Sequence, residues 1–308
     1  MTMQAPTSIE PLSGTAHPVL ADAVAEYLGV ASLPRTLERT PDGEVLVSVD
    51  ERARGRHVAI VQPTPAPVGE YLVELLLLAD ACWRLGTAHL TAVIPYLGYA
   101  RQDRRGHSGE ALGSSVFASA LASATLDRVL VVDPHNAAVE GAFSCPVEML
   151  TAVPLLARAV ERHLAGDCVI VAPDLGATKL AQHYAHLLRK PMAIVHKQRL
   201  GPGEVVAERV IGEVRGRQPL LVDDMISTAG TIAAATELLL AHGAKPPVVV
   251  AATHGLFAPP AAERLHALPI ARVLTTDSVA PPPRAPSVHE CVTIASLLAS
   301  ALRDAPNR

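Results

Sequence analysis

Short runs of valine and isoleucine alternate with helical patterns along almost the whole chain. The predicted strands are His57–Gln62, Leu90–Tyr96, Arg128–Asp133, Cys168–Pro173, Met192–His196, Leu220–Asp224 and Val248–Thr253. The helical patterns between them are Gly69–Leu85, Ser114–Ala124, Val153–His163, Thr178–Leu188 and Thr231–His242. Short apolar runs bounded by helices are typical of parallel sheets that are buried on both faces. The pattern therefore predicts an α/β fold of mainly parallel sheets flanked by helices.

The strand and helix pattern is repeated in both halves of the chain. A chain of 308 residues is too long for one ordinary core, and a boundary near Pro146–Val153 divides it evenly. We expect two similar domains, 1–150 and 151–290. A final helix is expected over Cys291–Leu302. The segment 291–304 can pack on either domain and is grouped with the first.

Composition excludes several classes of protein. Hydrophobic residues make up 49% of the chain and charged residues 18%, so disorder is not expected. The net charge is -4 and no block of Lys or Arg occurs, which argues against a nucleic-acid partner. The most apolar helix, 71–81, is too short to span a bilayer, and 1–19 lacks the pattern of a signal peptide. The scattered cysteines fit a reducing cytoplasm; they are Cys82, Cys145, Cys168 and Cys291.

One string combines acidic and hydroxylated residues at the end of a predicted strand. Asp223 and Asp224 end the strand, and small residues lead from them into a helix. Carboxylates accept hydrogen bonds from vicinal hydroxyls, while backbone N–H groups at a helix N-terminus bind anions. The string therefore indicates a sugar-phosphate site made of Asp223, Asp224, Ser227, Thr228, Ala229, Gly230 and Thr231. Gly230 is expected to let the backbone approach the ligand. The alternative is a plain turn in which Thr228 or Thr231 caps the helix.

Three other strand ends carry residues suited to polyphosphate or metal. Arg101, Gln102 and Asp103 follow one strand and are candidates for binding a polyphosphate. The alternative is an ordinary solvated charged loop. His135 follows another and is a candidate ligand for a divalent metal or a phosphate oxygen, or a hydrogen-bonded turn residue. Asp174 follows a third, where an aspartate is also common in turns.

Two cations, Lys197 and Arg199, precede Gly201-Pro202-Gly203. Cations at the base of such a loop suit closure over a polyphosphate and neutralisation of developing charge. The alternative is a pair of exposed cations on a hairpin. Taken together, the segments supply the groups needed for transfer of phosphoryl-type groups with a metal ion.

The same segments resemble one family in order and spacing. Tyr96–Arg105 resembles the Pro-Tyr-x-Gly-Tyr-Ala-Arg-Gln-Asp signature of the ribose-phosphate pyrophosphokinases, which make phosphoribosyl diphosphate (PRPP). Asp133–Phe143, Asp42-Gly43-Glu44 and Asp223–Thr231 are similar to three further segments of that family. The resemblance runs from about residue 14 to 304. It implies two tandem type I phosphoribosyltransferase-like domains.

The resemblance also implies a reaction and its participants. The family transfers the diphosphoryl group of ATP to the 1-hydroxyl of ribose 5-phosphate, with Mg²⁺, giving PRPP and AMP. By similarity, Asp223 and Asp224 hold the ribose hydroxyls and 227–231 the 5-phosphate, while Asp174 holds metal and pentose. Lys197 and Arg199 are the implied catalytic cations.

The nucleotide side follows from the same resemblance. Arg101, Gln102 and Asp103 bind ATP, and His135 helps to hold Mg²⁺ near the phosphates. Asp42 and Glu44 reach the adenine of a neighbouring subunit, so a homo-oligomer, at least a dimer, is implied.

The chain departs from the family pattern at several positions. Thr40 stands where the family usually has a phenylalanine that stacks on adenine. The other departures are Pro134, Ala177, His196, Ser227 and the segment 109–112. Two alternatives therefore stay open: a non-catalytic relative that binds nucleotides or regulates a true synthetase, and a nucleobase phosphoribosyltransferase that consumes PRPP.

Overall fold

The computed structural model describes residues 9–199, 206–283 and 285–304, and for 197–199 and 206–208 it describes the backbone alone. Contacts divide the chain into two compact units. The first comprises the described residues through Thr151, with 278–280 and those from Thr293 onward. The second comprises the described residues of Ala152–Asp277 and Pro281–Val292. In the part of the chain that is described, no helix has the length and apolar character needed to cross a membrane.

The first unit is built on a parallel sheet with strand order β1-β4-β5-β6-β7. Its elements are β1 (Ile9–Ser13), α1 (Pro18–Leu28), β2 (Arg35–Arg39), β3 (Val45–Val49), β4 (His57–Val61), α2 (Val68–Leu85), β5 (His89–Ile94), α3 (Gly113–Leu121), β6 (Arg128–Val132) and β7 (Val147–Leu150). Strands β2 and β3 form a separate antiparallel hairpin. The inner strands β4, β5 and β6 are almost wholly buried, as their apolar sequences predict.

The second unit holds a sheet with the order β10-β9-β8-β11-β12-β13-β14. Its elements are α4 (Val153–Val160), β8 (Cys168–Ala172), α5 (Thr178–Leu188), β9 (Met192–Arg199), β10 (Val206–Ile211), β11 (Gln218–Ile226), α6 (Gly230–Ala241), β12 (Val248–Gly255), α7 (Ala261–His266), β13 (Ile270–Thr276) and β14 (His289–Val292). Neighbouring strands are parallel except β9 and β10, which are antiparallel. The α/β fold with parallel sheets is thus confirmed.

Four predicted strands end one or two residues earlier than expected, and two of these stop directly before a proline. The strand expected to reach Tyr96 ends at Ile94, and the one expected to reach Pro173 ends at Ala172. Pro95 and Pro173 come directly after these last strand residues, and proline has no N–H to donate to the hydrogen bonds between strands. Both loops that follow carry candidate site residues.

The expected helix Cys291–Leu302 is wrong in its first part. His289–Val292 forms β14, which pairs with Val273–Thr276 of β13, and α8 (Ala295–Arg303) begins afterwards. The short apolar pair Cys291-Val292 fits a strand as well as a helix, and the tertiary pairing decides between them. Helix α8 packs on α1 within the first unit, where the Arg303 guanidinium donates to the Tyr27 carbonyl.

A buried polar cluster holds the loop after β1. The carboxylate of Glu74, on α2, accepts from the backbone N–H and the hydroxyl of Thr15. Gln62 donates to the same carboxylate at 3.1 Å, and its oxygen accepts from Ala16 N–H at 3.2 Å. A methyl group at Gly14 would lie 2.0 Å from that Gln62 oxygen. The loop therefore requires glycine at Gly14 and a carboxylate at Glu74.

Replacement of Glu74 by alanine is expected to lower the free energy of unfolding by about 2–3 kcal/mol, because the buried Gln62 amide and the part-buried Thr15 donors lose their acceptor. Glu70 lies one turn earlier on α2 and pairs with Arg39 at the surface. Its replacement is expected to cost less than about 1 kcal/mol. Denaturant unfolding of both variants measures the difference, and equal losses would contradict this role of Glu74.

Candidate functional site

Asp223 and Asp224 lie near the carboxyl end of β11, a central strand between β8 and β12. The backbone N–H of Asp224 donates to Asp223 Oδ1 at 2.9 Å. Burial of the Asp223 carboxyl, together with the charges of Asp224 and Asp174, raises its pKa to about 8. A carboxylate pair with this potential suits a ligand that brings hydroxyl donors or a cation.

Asp174 joins this pair because β8 and β11 are parallel neighbours, and the carboxyl ends of parallel strands meet at one edge. Its Oδ1 accepts from the backbone N–H of Ala177 at 3.1 Å, just before α5. The other oxygen atom keeps its ligand capacity, since a carboxylate offers several acceptor sites. The structure thus places Asp174 near enough to Asp223 for their charges to interact, although 49 positions separate them in the sequence.

The 227–231 loop connects β11 to α6 without a side-chain cap. Ala229 is the N-cap residue, with φ 58° and ψ 15°, and it makes no side-chain hydrogen bond to the first helical N–H groups. The plain turn capped by Thr228 or Thr231 is therefore not what forms. The left-handed residue of this loop is Ala229, directly before Gly230. The close approach of a ligand expected at Gly230 stays a prediction. An α-helix N-terminus with uncapped N–H groups is suited to an anion.

Lys197 and Arg199 lie in β9, close to the part of the chain that is not described. Residues Met192–Ile194 of β9 pair with Ile170–Ala172 of β8, whereas Ile194–Arg199 pair with β10. The β9–β10 hairpin therefore extends past the carboxyl end of β8. The side chains of Lys197 and Arg199 lie outside the described residues, as does the Gly201-Pro202-Gly203 segment.

In the first unit, the loop after β5 is fastened to the segment after β4. The Thr64 hydroxyl donates to the Tyr96 carbonyl at 3.0 Å and accepts from the Gly98 N–H at 2.8 Å. A methyl group at Gly98 would lie 2.5 Å from Val68 and 2.8 Å from the Thr64 carbonyl oxygen. The loop can follow this path because position 98 is glycine.

Arg101, Gln102 and Asp103 continue this loop. The Ser114 N–H and hydroxyl, at the start of α3, both donate to the Gln102 carbonyl, at 3.3 and 3.2 Å. Asp103 accepts a hydrogen bond from the side-chain amide of Asn136. The structure thus brings the 101–103 loop to the turn that carries His135. Arg101, Gln102 and His135 are exposed to solvent.

Asp42 and Glu44 lie in the exposed turn between β2 and β3. The Thr40 hydroxyl donates to Asp42 and accepts from the Glu44 N–H at 3.0 Å. This hydroxyl lowers the pKa of the Asp42 carboxyl. Thr40 therefore shapes the turn through hydrogen bonds, which an aromatic side chain at this position cannot make.

Two residues with roles at these loops were missed by sequence reasoning. Thr64 fastens the loop after β5, and Arg264 of α7 donates to the Thr228 carbonyl at 2.9 Å. Neither lies in a motif, and Arg264 is 36 positions from Thr228. No arrangement of three or more His, Cys, Asp or Glu side chains suited to a metal ion occurs among the described residues.

Comparison with known proteins identifies the family. A sequence model of the N-terminal domain of ribose phosphate pyrophosphokinase matches residues 9–125, and one of the phosphoribosyl transferase domain matches 149–279. A ribose-phosphate pyrophosphokinase from Gloeobacter violaceus is 41% identical over 293 residues, covering 94% of this chain and 88% of the relative. The chain belongs to the ribose-phosphate pyrophosphokinase family.

Other members of the ribose-phosphate pyrophosphokinase family are similarly close. One from Caldanaerobacter subterraneus is 40% identical over 275 residues, covering 88% of this chain and 86% of the relative. The crystal structure of phosphoribosylpyrophosphate synthetase from Mycobacterium smegmatis is 36% identical, with a TM-score of 0.89 over 96% of this chain and 98% of that one. The resemblance that the motifs indicate is confirmed, and it extends over both units.

Proposed function

We propose that this protein transfers the diphosphoryl group of ATP to ribose 5-phosphate. The sugar 1-hydroxyl oxygen forms a bond to the β-phosphorus, and the bond from that phosphorus to the α,β-bridging oxygen breaks. AMP leaves with the bridging oxygen, PRPP forms, and the hydroxyl proton passes to solvent. The observation that carries the proposal is the Asp223–Asp224 pair followed by an uncapped helix N-terminus, in a chain whose relatives are named ribose-phosphate pyrophosphokinases.

The second unit supplies the proposed sugar-phosphate groups. Asp223 and Asp224 accept hydrogen bonds from the ribose hydroxyls, which are neutral donors and reduce the repulsion between the two carboxylates. The 227–231 loop holds the 5-phosphate with its N–H groups and hydroxyls. Lys197 and Arg199 stabilise the charge on the departing AMP. No covalent intermediate is required, because positioning and electrostatics suffice.

The first unit supplies the proposed nucleotide groups. Arg101, Gln102 and Asp103 bind ATP, and the hydrogen bond from Asn136 to Asp103 supports this loop beside His135. Asp42 and Glu44 contact the adenine of a neighbouring subunit, which implies at least a dimer. Free cysteines in the described chain are consistent with the cytoplasm, where we place the protein.

The donor chemistry fits Mg²⁺, which prefers carboxylate oxygens, substrate phosphates and water. Asp174 would hold the ion in the second unit, and His135 would help to hold it near the ATP phosphates. Burial first, and then the charges of Asp224 and Asp174, raise the pKa of Asp223, and a bound cation would favour its ionised form. When bound, Mg²⁺ neutralises phosphate charge. The protein residues position the reactants.

The decisive experiment is product analysis with purified protein, ATP, ribose 5-phosphate and Mg²⁺. Equal amounts of AMP and PRPP are expected. Release of ADP would instead indicate transfer of a single phosphoryl group. If no AMP forms with any nucleoside triphosphate, even with added phosphate, the protein is a nucleotide-binding relative without this activity.

Replacement of Thr40 by phenylalanine is expected to lower the KM for ATP about fivefold, because stacking of an aromatic ring on a base contributes about 1–3 kcal/mol. The loss of the Thr40 hydrogen bonds reduces this gain. Thr36 lies on the exposed side of β2 in the same hairpin, and its replacement by phenylalanine serves as the control. Initial-rate kinetics at saturating ribose 5-phosphate provides the measurement. An unchanged or higher KM for ATP would show that adenine does not bind beside Thr40.

A further inference from the structure

Arg264 reaches the 227–231 loop although it lies far from it in the sequence. Its Nη1 donates to the Thr228 carbonyl oxygen at 2.9 Å. The same nitrogen would lie 3.4 Å from a methyl group at Gly230. The guanidinium therefore lies against the loop backbone, directly before the first turn of α6.

The position of Arg264 is fixed by the core of the second unit. Ala261 and Leu265 flank it on α7, and both are buried in the cluster that also contains Ile226 and Ala229. The segment before α7 is hydrogen-bonded to the end of β11, where two N–H groups donate to the Ile226 carbonyl at 3.0 and 3.1 Å. The contact between Arg264 and Thr228 is therefore part of the fold, although the side chain is exposed.

The contact orients the peptide between Thr228 and Ala229. In a planar trans peptide the C=O and N–H bonds point in opposite directions. Because Arg264 holds the Thr228 carbonyl, the Ala229 N–H points to the other side of the loop. A cation bonded to the carbonyl also polarises the peptide and makes its N–H a stronger donor. The left-handed conformation of Ala229, with φ 58°, is held in place by the same contact.

We propose that Arg264 is a positioning residue for the phosphate group of ribose 5-phosphate, an inference that rests on the proposed function. Residues 223–231 include two aspartates and no cation, so the loop by itself offers a dianion only neutral donors beside negative charge. Arg264 supplies a positive charge on the far side of the loop backbone and fixes the direction of one donor. It thereby sets the affinity for the phosphorylated sugar and leaves ATP binding unaffected.

The test compares Arg264→Ala, Arg264→Lys and Arg264→Gln. Arg264→Ala is expected to raise the KM for ribose 5-phosphate about tenfold, as for loss of a charge-assisted hydrogen bond, with the KM for ATP within about twofold of wild type. Arg264→Lys keeps a charged donor and is expected to recover part of the affinity. Arg264→Gln keeps only a neutral donor and is expected to resemble Arg264→Ala.

Arg272 is the matched control, since it is exposed on β13 and its guanidinium donates to the adjacent Ala271 carbonyl. Arg272→Ala should leave both KM values unchanged. The inference is overturned if Arg264→Ala leaves the KM for ribose 5-phosphate unchanged, or if it raises the KM for unphosphorylated ribose equally. Calorimetric titration with ribose 5-phosphate separates the two proposals: wild-type protein that binds the sugar phosphate but makes no PRPP refutes the activity, while weaker binding by Arg264→Ala still supports the role of Arg264.

Discussion

Alanine at Lys197 is expected to lower kcat by about a hundredfold to a thousandfold, the cost typical of removing one group that stabilises charge in a transition state. The proposed reaction releases AMP, so negative charge grows on the α,β-bridging oxygen as the bond to the β-phosphorus breaks. A cation that contacts this oxygen stabilises the transition state more than the bound substrates. The KM values for ATP and ribose 5-phosphate should therefore change much less than kcat.

The fold supports a loss of activity without a loss of stability. Residue 197 pairs with Glu208 of β10 in the part of the hairpin that extends past β8. A substitution there leaves the ladder between β8 and β9 intact, so the Tm should stay within about 1–2 °C of wild type. Arg199→Ala is expected to behave in the same way.

Lys245 provides the control for Lys197. It is an exposed lysine in the connection between α6 and β12, at the amino end of the strands, and Lys245→Ala should retain full activity. AMP formation at saturating substrates gives kcat, and thermal unfolding gives the Tm of each variant. Turnover near the wild-type value in Lys197→Ala would remove Lys197 from the catalytic groups.

Much of the fold was predictable, because the inner strands are recognisable from apolar runs in their own sequences. β8 is a continuous apolar run, and β4, β6 and β12 contain the apolar runs 58–61, 129–132 and 248–252. A parallel sheet with both faces covered requires such runs. β1 was not predicted, since Glu10 and Pro11 interrupt its pattern. β7 lies within the expected domain boundary, and β14 lies within an expected helix. These three strands form because a neighbouring strand offers backbone hydrogen bonds, which the local sequence does not reveal.

The candidate site also has features that the local sequence predicts and features that depend on tertiary contacts. The Asp223–Thr231 string is local, and strand, carboxylates and loop follow one another in the chain, so its position at a strand end could be predicted. The Arg264 contact, the Asn136–Asp103 hydrogen bond and the Thr64 anchor join segments that are distant in sequence. Their existence depends on tertiary packing. The raised pKa of Asp223 is in part a tertiary property, because its largest cause is burial. The next cause, the charge of Asp224, is local, and the smaller effect of Asp174 comes from the loop after β8.

Replacement of Asp223 by asparagine is expected to abolish most activity and, at neutral or alkaline pH, to stabilise the protein. Asparagine keeps an oxygen that can accept from the Asp224 N–H, and it removes a group whose ionisation the folded state disfavours. The loss of a charged acceptor for a ribose hydroxyl should lower kcat/KM by about a hundredfold. Stability and activity thus change in opposite directions, as is expected where a site stores unfavourable charge.

The pH dependence distinguishes this effect from a general change in packing. The folded-state pKa of Asp223 is about 8, above its ordinary value of 3.8. Between about pH 4 and about pH 8 the folded protein therefore keeps a proton on Asp223, whereas the unfolded chain has released it. Ionisation of Asp223 therefore costs stability progressively as pH rises from about 4 to about 8, and the cost is constant above that. The gain from Asp223→Asn should be absent near pH 4 and reach a Tm increase of about 2 °C or more at pH 8.5.

Asp167 is the control carboxyl, since it lies exposed in the connection before β8. Asp167→Asn should leave activity and the pH profile of the Tm unchanged. A Tm for Asp223→Asn below wild type at every pH would show that the surroundings stabilise the Asp223 carboxylate. That result would contradict the prediction that burial and the neighbouring Asp174 and Asp224 disfavour its ionisation. If Mg²⁺ with ribose 5-phosphate relieves the same repulsion, these ligands should raise the Tm of the wild type more than that of Asp223→Asn. The free protein would then hold its half-buried pair of carboxyl groups in a state that is unfavourable until substrate binds.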